Sequence, residues 1–292
     1  MEWTFAVAGP IDAILELASG SISVTARSGS EVTVVLEPLG RNIERALEVI
    51  EAAEVTCDGN RLIVKVRKQA RREAPLRMEV TLPDGSSIRA NAASADVSAH
   101  GYLGDVEIST ASGDIDSTGE VESAKVNTAS GDTNFARVRS SANANSASGE
   151  LSFESVGGRL TLSTASGGVE VGDVAGDASV STASGDIRVH RLGASGKMRS
   201  ASGDVELCLV ERGEVSVSTT SGDVLVYVAK GVGTWLDLTS YSGSTNCSLP
   251  PEDGNRTGAE LRLTCQTMSG DIDVRMGDEA GSANGQSHQL AG

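Results

Sequence analysis

Six Ser-Gly pairs, beginning at Ser112, Ser130, Ser148, Ser166, Ser184 and Ser202, recur at one fixed interval with no insertion between them. A short fixed period admits few folds, because each repeat is a small unit that can bury its apolar face only against its neighbours, so the turns must stack. Ser94 falls one period earlier, and the beat loosens through Ser221, Ser242 and Ser269, at steadily widening intervals. About nine turns are readable in this way.

Counted from the Ser, apolar residues stand at positions four and six, as in Leu151 and Phe153, Val169 and Val171, Ile187 and Val189, and Val205 and Leu207. A second pair follows half a period later, at Ala142 and Ala144, Leu160 and Leu162, and Ala178 and Val180. This is strand alternation, and so short a half-turn has no room for a helix with its connections. The expected fold is all-β: a single-stranded parallel β-solenoid, β-helix-like, with about 18 residues per turn. Val, Ile, Leu and Ala ladders fill its narrow core, and small polar side chains point outward. At about 4.8 Å per turn, nine turns make a rod on the order of 40 Å long. In the Ser-Gly-Asp corner the Gly accepts the bend, while Ser and Asp bond backbone groups that leave the ladder.

Residues 1–90 read as a β-rich beginning of the same solenoid, and Ala18-Ser19-Gly20-Ser21-Ile22 already resembles the repeat phrase. Residues 42–53 differ. Ile43, Leu47 and Ile50 recur at helical spacing, with Ala46 and Ala53 beside them and Glu44, Glu48 and Glu51 outward, which predicts one short helix as a candidate cap. Asp58-Gly59 marks a hairpin. The regular and then loosened repeat occupies residues 91–276, and the Gly-, Ser-, Asn- and Gln-rich stretch 277–292 reads as a disordered tail.

A formal net charge of −16 argues against nucleic acid or an anionic membrane as main partner, since both require Lys and Arg to neutralise phosphate. Aromatic residues are 3% of the chain, too few for a stacking platform. The opening Met1-Glu2-Trp3-Thr4-Phe5 has no basic segment followed by an apolar one, and no apolar run is long enough to span a bilayer, so neither export nor membrane insertion is expected. Cys57, Cys208, Cys247 and Cys265 are scattered without a CxxC, which suits a reducing cytoplasm.

Asp114, Asp132, Asp186, Asp204 and Asp223 should form a column along one edge, with Glu150 in one Asp place and Gly168 breaking the run. Neighbours one turn apart would repel by roughly 0.9 kcal/mol in water, so the column needs hydrogen bonds, screening or weakly held cations. Its spacing is not that of the calcium-binding roll, where Asp stands two residues before the apolar position; here Asp186 directly precedes Ile187. Lys65, Arg67, Lys68, Arg71 and Arg72 form a basic cluster, a candidate docking patch for an acidic protein partner or another copy. His100, His190 and His288 are isolated, and Ala-Ser-Gly-Asp is not a nucleophile elbow. No cofactor is called for.

Several of these phrases together carry a resemblance. Phe5-x-x-x-Gly9-Pro10-Ile11, Val80-Thr81-Leu82-Pro83-x-Gly85-Ser86, Ser94-Ala95-Asp96-Val97, the repeated Ser-Gly-Asp-Ile and Thr239-Ser240-Tyr241 resemble the bacterial β-strand-repeat family labelled putative adhesin, domain of unknown function 4097. The resemblance implies a parallel β-solenoid of bacterial, actinomycete-like origin and a link to envelope stress; it implies no catalytic residues.

The leading expectation is thus a non-enzymatic, cytoplasmic protein-binding or scaffold module. A first alternative is self-assembly into filaments like those of bactofilins, through an uncapped last turn whose edge carries Met268, Asp271, Ile272 and Val274. A second is a β-helix enzyme acting on polysaccharide, with Trp235, Asp237, Asp253, Arg256 and Glu260 meeting in the looser region.

Overall fold

The computed structural model describes residues 1–40, 42–66, 74–249 and 260–277. Within them lie 23 strands and one helix, and every strand belongs to one continuous, mostly parallel hydrogen-bonded network. The chain is an all-β solenoid.

In the middle of the molecule, like stacks on like. Strand Val169–Val174 runs parallel to Ile187–Leu192, with Val169 beside Ile187 and Val171 beside Val189. Strand Ala178–Ser184 pairs in the same way with Gly196–Ser202, placing Val180 beside Met198 and Ser184 beside Ser202. Cross-turn side-chain bonds here join residues 18 positions apart. Inward positions are buried and the residues between them are not, so each turn shows the alternation that its sequence demands.

One inward column reads Ala99, Ser117, Phe135, Phe153, Val171, Val189 and Leu207. The Phe135 and Phe153 rings stack with centroids 5.4 Å apart and planes 4° from parallel. Small Ala99 and Ser117 occupy the turns before them, so bulk on two turns is offset by small side chains on the two that precede.

The N-terminal end departs from this order. Strand Asp12–Arg27 lies between Ser87–His100 on one side and both Arg61–Val66 and Leu76–Pro83 on the other. Beyond them direction reverses: Glu31–Pro38 is antiparallel to Leu76–Pro83, and Glu54–Asp58 is antiparallel to Arg61–Val66. Helix Ile43–Glu51 packs on strand Glu31–Pro38. Its buried face is Ala46, Val49 and Ile50, whereas Ile43 and Leu47 are 56% and 45% exposed. The expected face of Ile43, Leu47 and Ile50 is therefore rotated: Ile50 and the Ala46 beside it are kept, and Val49 takes the place of Ile43 and Leu47. Small Ala46 on the inner side allows a close approach that Leu47 would prevent.

The C-terminal end holds the largest departure. Strands Gly213–Ser221 and Val224–Val228 pair with Glu260–Ser269 and Ile272–Met276, far along the chain, rather than with the next strands in sequence. Gly233–Ser242 and Thr245–Cys247 lie outside that turn and pair with its far side. The expectation that residues 267–274 form the last turn is thus corrected: they are the last but one. Apolar content accounts for the exchange. Leu261, Leu263, Cys265, Ile272 and Val274 are all buried, while the outer turn supplies only half-buried Leu236 and Leu238 and exposed Thr245 and Cys247. Full burial is worth about 1.5–3 kcal/mol for each large apolar side chain, so the richer turn takes the two-sided position.

Candidate functional site

The Ser-Gly-Asp corner is the most repeated feature, and its chemistry is spent on the fold. At Gly185 φ is +151°, and a Cβ would stand 2.1 Å from the carbonyl oxygen of Gly167 on the turn below. The backbones meet there too closely for any side chain. One residue on, the Asp solves a pairing problem. The Asp204 N–H donates to Asp186 Oδ1 at 2.9 Å, that of Asp223 to Asp204 Oδ1 at 2.7 Å, and that of Asp271 to Asp223 Oδ1 at 2.8 Å. Asp114, Asp132 and Glu150 continue the ladder from Asp96, each N–H received by the acid one turn below.

Each of these bonds joins neighbouring turns through a charged acceptor and so acts against the repulsion between neighbouring carboxylates. Hydrogen bonds of the kind the column needs are thus present along it. At its end, the Ser244 N–H and hydroxyl both donate to Asp271 Oδ1 and hold that carboxyl below the ordinary carboxylate range. Among the described residues no three His, Cys, Asp or Glu side chains converge as metal ligands would. Gly168 has no carboxylate to offer the Asp186 N–H, and it opens a groove of about 360 Å³ lined by Glu150, Glu170, Asp186, Asp204 and Glu206. Arg188 crosses that groove, ion-paired to Glu206 at 2.8 Å.

A second column, of Thr and Ser, was not singled out in the sequence. Thr110, Thr128, Thr164, Thr182, Ser200, Thr219 and Thr267 are buried, each two positions before the corner Ser. The hydroxyls of Thr219, Ser200 and Thr267 donate to the carbonyls of Gly203, Gly185 and Gly222 on the turn below, at 3.2, 3.4 and 3.3 Å. The signal was the unbroken Thr or Ser at that place.

The other candidates lie partly outside the described residues. Lys65 pairs with Glu16 at 3.1 Å on the neighbouring strand, and Arg67, Lys68, Arg71 and Arg72 lie outside the described residues. The expected self-association edge has a further turn stacked on it. Ile272 and Val274 are buried beneath Thr245 and Cys247, while Asp271, though exposed, is bonded on both sides, and Met268 is exposed. Trp235 stacks on the guanidinium of Arg262 at 4.8 Å, Glu260 sits beside Gly233, and Asp253 and Arg256 lie outside the described residues, so no polysaccharide-cleaving carboxylate pair is assembled among those described. Burial pushes the Cys265 thiol up to about 12, and burial with Glu206 nearby pushes Cys208 up to about 11.

One distribution does single out places on the surface. The large apolar side chains that are exposed are Met1, Ile43, Leu47, Trp235, Tyr241 and Met268. All lie in the two ends, and between Leu47 and Trp235 no described residue of this kind is exposed. A groove of about 930 Å³ also opens at the N-terminal end, between Thr4–Ile11 and the hairpin at Cys57, Gly59 and Asn60.

A comparison with curated proteins finds no match. Among solved structures, a putative adhesin from Bacteroides fragilis is 14% identical, with 94% of this chain and 96% of that one covered and a TM-score of 0.38. A putative lipid binding protein from Parabacteroides distasonis is 11% identical over 94% and 96% of the two chains, with a TM-score of 0.39. A putative cell adhesion protein from Clostridium sporogenes is 10% identical over 94% and 99%, with a TM-score of 0.19. The family model described as Toastrack DUF4097 matches residues 14–275, nearly the whole solenoid, and the chain belongs to that family.

Proposed function

We propose that this chain is a non-enzymatic scaffold or protein-binding module of the cytoplasm that makes its contacts through its two ends. The observation that carries this reading is the confinement of exposed large apolar side chains to those ends. Exposed apolar clusters mark interaction surfaces, whereas a body covered by small polar and ion-paired side chains resists association. Along the body, charges are matched turn to turn, as in Arg89–Glu107–Lys125, where donors at 2.8 and 2.9 Å lower the Glu107 pKa. A cytoplasmic setting is supported by the four cysteines, none of which pairs with another. An envelope-stress role belongs to the same proposal and rests on the family resemblance alone.

The test is site-specific photo-cross-linking in the bacterial host. Probes at positions 43, 47, 235 and 241 are expected to capture protein, and probes at the body positions Thr161 and Ser179 are not. Equal capture from body and ends, or none from any position, contradicts the reading. The alternative of a head-to-tail filament is less well supported, because at the N-terminal end strand Glu54–Asp58 runs against the stack and helix Ile43–Glu51 is inserted there.

A further inference from the structure

We infer that the C-terminal end is a self-complementary edge that joins two copies of this chain tail to tail, strand Gly233–Ser242 pairing antiparallel with its own symmetry mate. The inference rests on the end-directed reading above and names the occupant of one end. Among the described residues, Gly233–Ser242 pairs on one side only, with Glu260–Ser269. A strand with an unpaired row of N–H and C=O groups is a template for another strand. Outward Trp235 and Tyr241, on that same strand, are 62% and 81% exposed, and inward Leu236 and Leu238 are half-buried, with no further turn over them among the described residues.

Three features point to a second copy. The first is direction and length. At the other end the outermost strands are Glu2–Ala6 and Glu54–Asp58, each half as long as Gly233–Ser242 and running opposite ways relative to the stack, so the longer strand finds no continuous match there. An identical strand matches in length by necessity, and a two-fold axis across the end makes the pairing antiparallel on both faces at once.

The second is backbone parity. The Ser242 and Ser244 carbonyls accept from Gly270 and Ile272, toward the inner turn. Alternate residues of a parallel strand direct their groups to opposite sides, so those of Trp235, Asp237, Thr239 and Tyr241 face the free edge. The third is side-chain complementarity. With Leu238 on the axis, Trp235 of each copy stands opposite Tyr241 of the other, and Asp237 stands opposite Thr239. Both aromatics then gain an aromatic partner and the two carboxylates never face each other. A shift that centres the pair on Asp237 would oppose the two charges. Cross-strand aromatic pairs favour the first register and like charges disfavour the second.

The experiment uses the full chain. Light scattering across a concentration series is expected to approach twice the 29.9 kDa chain mass, and small-angle scattering to give a particle whose longest dimension is about doubled. Trp235→Lys with Tyr241→Lys, both exposed, should leave the fold and the circular dichroism unchanged and return the mass to that of one chain. Leu238→Cys should cross-link to itself on mild oxidation, because residues directly opposite at a non-hydrogen-bonded site stand about 4.5 Å apart between Cα atoms, while Leu236→Cys should not.

A constant one-chain mass overturns the inference, as does a dimer no longer than the monomer or one that survives the double Lys variant. The two proposals fail separately. A monomer that still captures foreign protein through positions 235 and 241 defeats the dimer and keeps the scaffold; a dimer with no foreign capture at either end does the reverse.

Discussion

The middle of the solenoid and its C-terminal end use the same phrase and obey it differently. From Ile88 to Ser202 each turn lies on the one before it in sequence, because successive turns all bring buried side chains inward and stack corner on corner. After Ser221 the corner still stacks, Ser221 on Ser269 and Ser269 on Ser242, but spatial order no longer follows sequence order. The corner makes turns compatible with one another; the inward side chains decide which turn is covered on both sides. A repeat that stacks well anywhere needs a second criterion to be ordered.

The contrast can be broken most severely at the corner. Gly185→Ala forces a Cβ into the Gly167 carbonyl at a positive φ and should cost about 4 kcal/mol, from strain and overpacking together. Gly29→Ala, with nothing within 4 Å and no such φ, should stay within about 0.5 kcal/mol in the same denaturant titration. The column of inward residues is the next test. Phe153→Ala in the middle removes half of a stacked pair and should cost about 3–5 kcal/mol. Cys247→Ala, exposed in that column's outermost turn, should be nearly neutral.

The interrupted acid ladder offers a gain. Gly168→Asp places a Cβ whose nearest neighbour is the Asp186 carbonyl oxygen at 4.0 Å, and it supplies the acceptor that the Asp186 N–H lacks, so stability should rise by about 1 kcal/mol. The smallest effect is one of pH. The Asp271 carboxyl is held low by the Ser244 donors, so its stabilisation is fully present above the ordinary carboxylate value and is lost as pH falls through the depressed one. Asp271→Asn keeps an acceptor and removes the charge. Its Tm deficit should therefore be constant near neutrality and close as the medium is acidified through that window; a deficit unchanged by acid would place the contribution elsewhere.

Much of this was legible from residues alone. The Ser-Gly beat, the alternation of Leu160-x-Leu162 or Val169-x-Val171 and the helix around Ile50 each follow from local chemistry, because a period, an alternation and a helical spacing are visible in one dimension. The helix face was not, since Ile43 and Ala46 both lie within reach of an inward stripe and only close packing on strand Glu31–Pro38 selects Ala46. The buried Thr column was not singled out because its reason lies in another turn: Thr219 reaches a Gly carbonyl of the turn below, a partner that exists only after stacking. The exchange of the last two turns was hidden for a related reason. It depends on comparing the apolar content of two whole turns, Leu261–Val274 against Leu236–Cys247, rather than on any one motif.

That exchange underlies both functional proposals, and one experiment reaches it directly. In a Cys247→Ser background, Ser218→Cys is combined with Gln266→Cys in one variant and with Thr239→Cys in another, and intramolecular disulfide formation is followed by peptide mapping. Ser218 stands beside Gln266, with Thr239 on the turn beyond, so the first pair should close readily and the second should not. Closure of the Ser218–Thr239 pair with the Ser218–Gln266 pair left open would return the turns to sequence order and contradict the account.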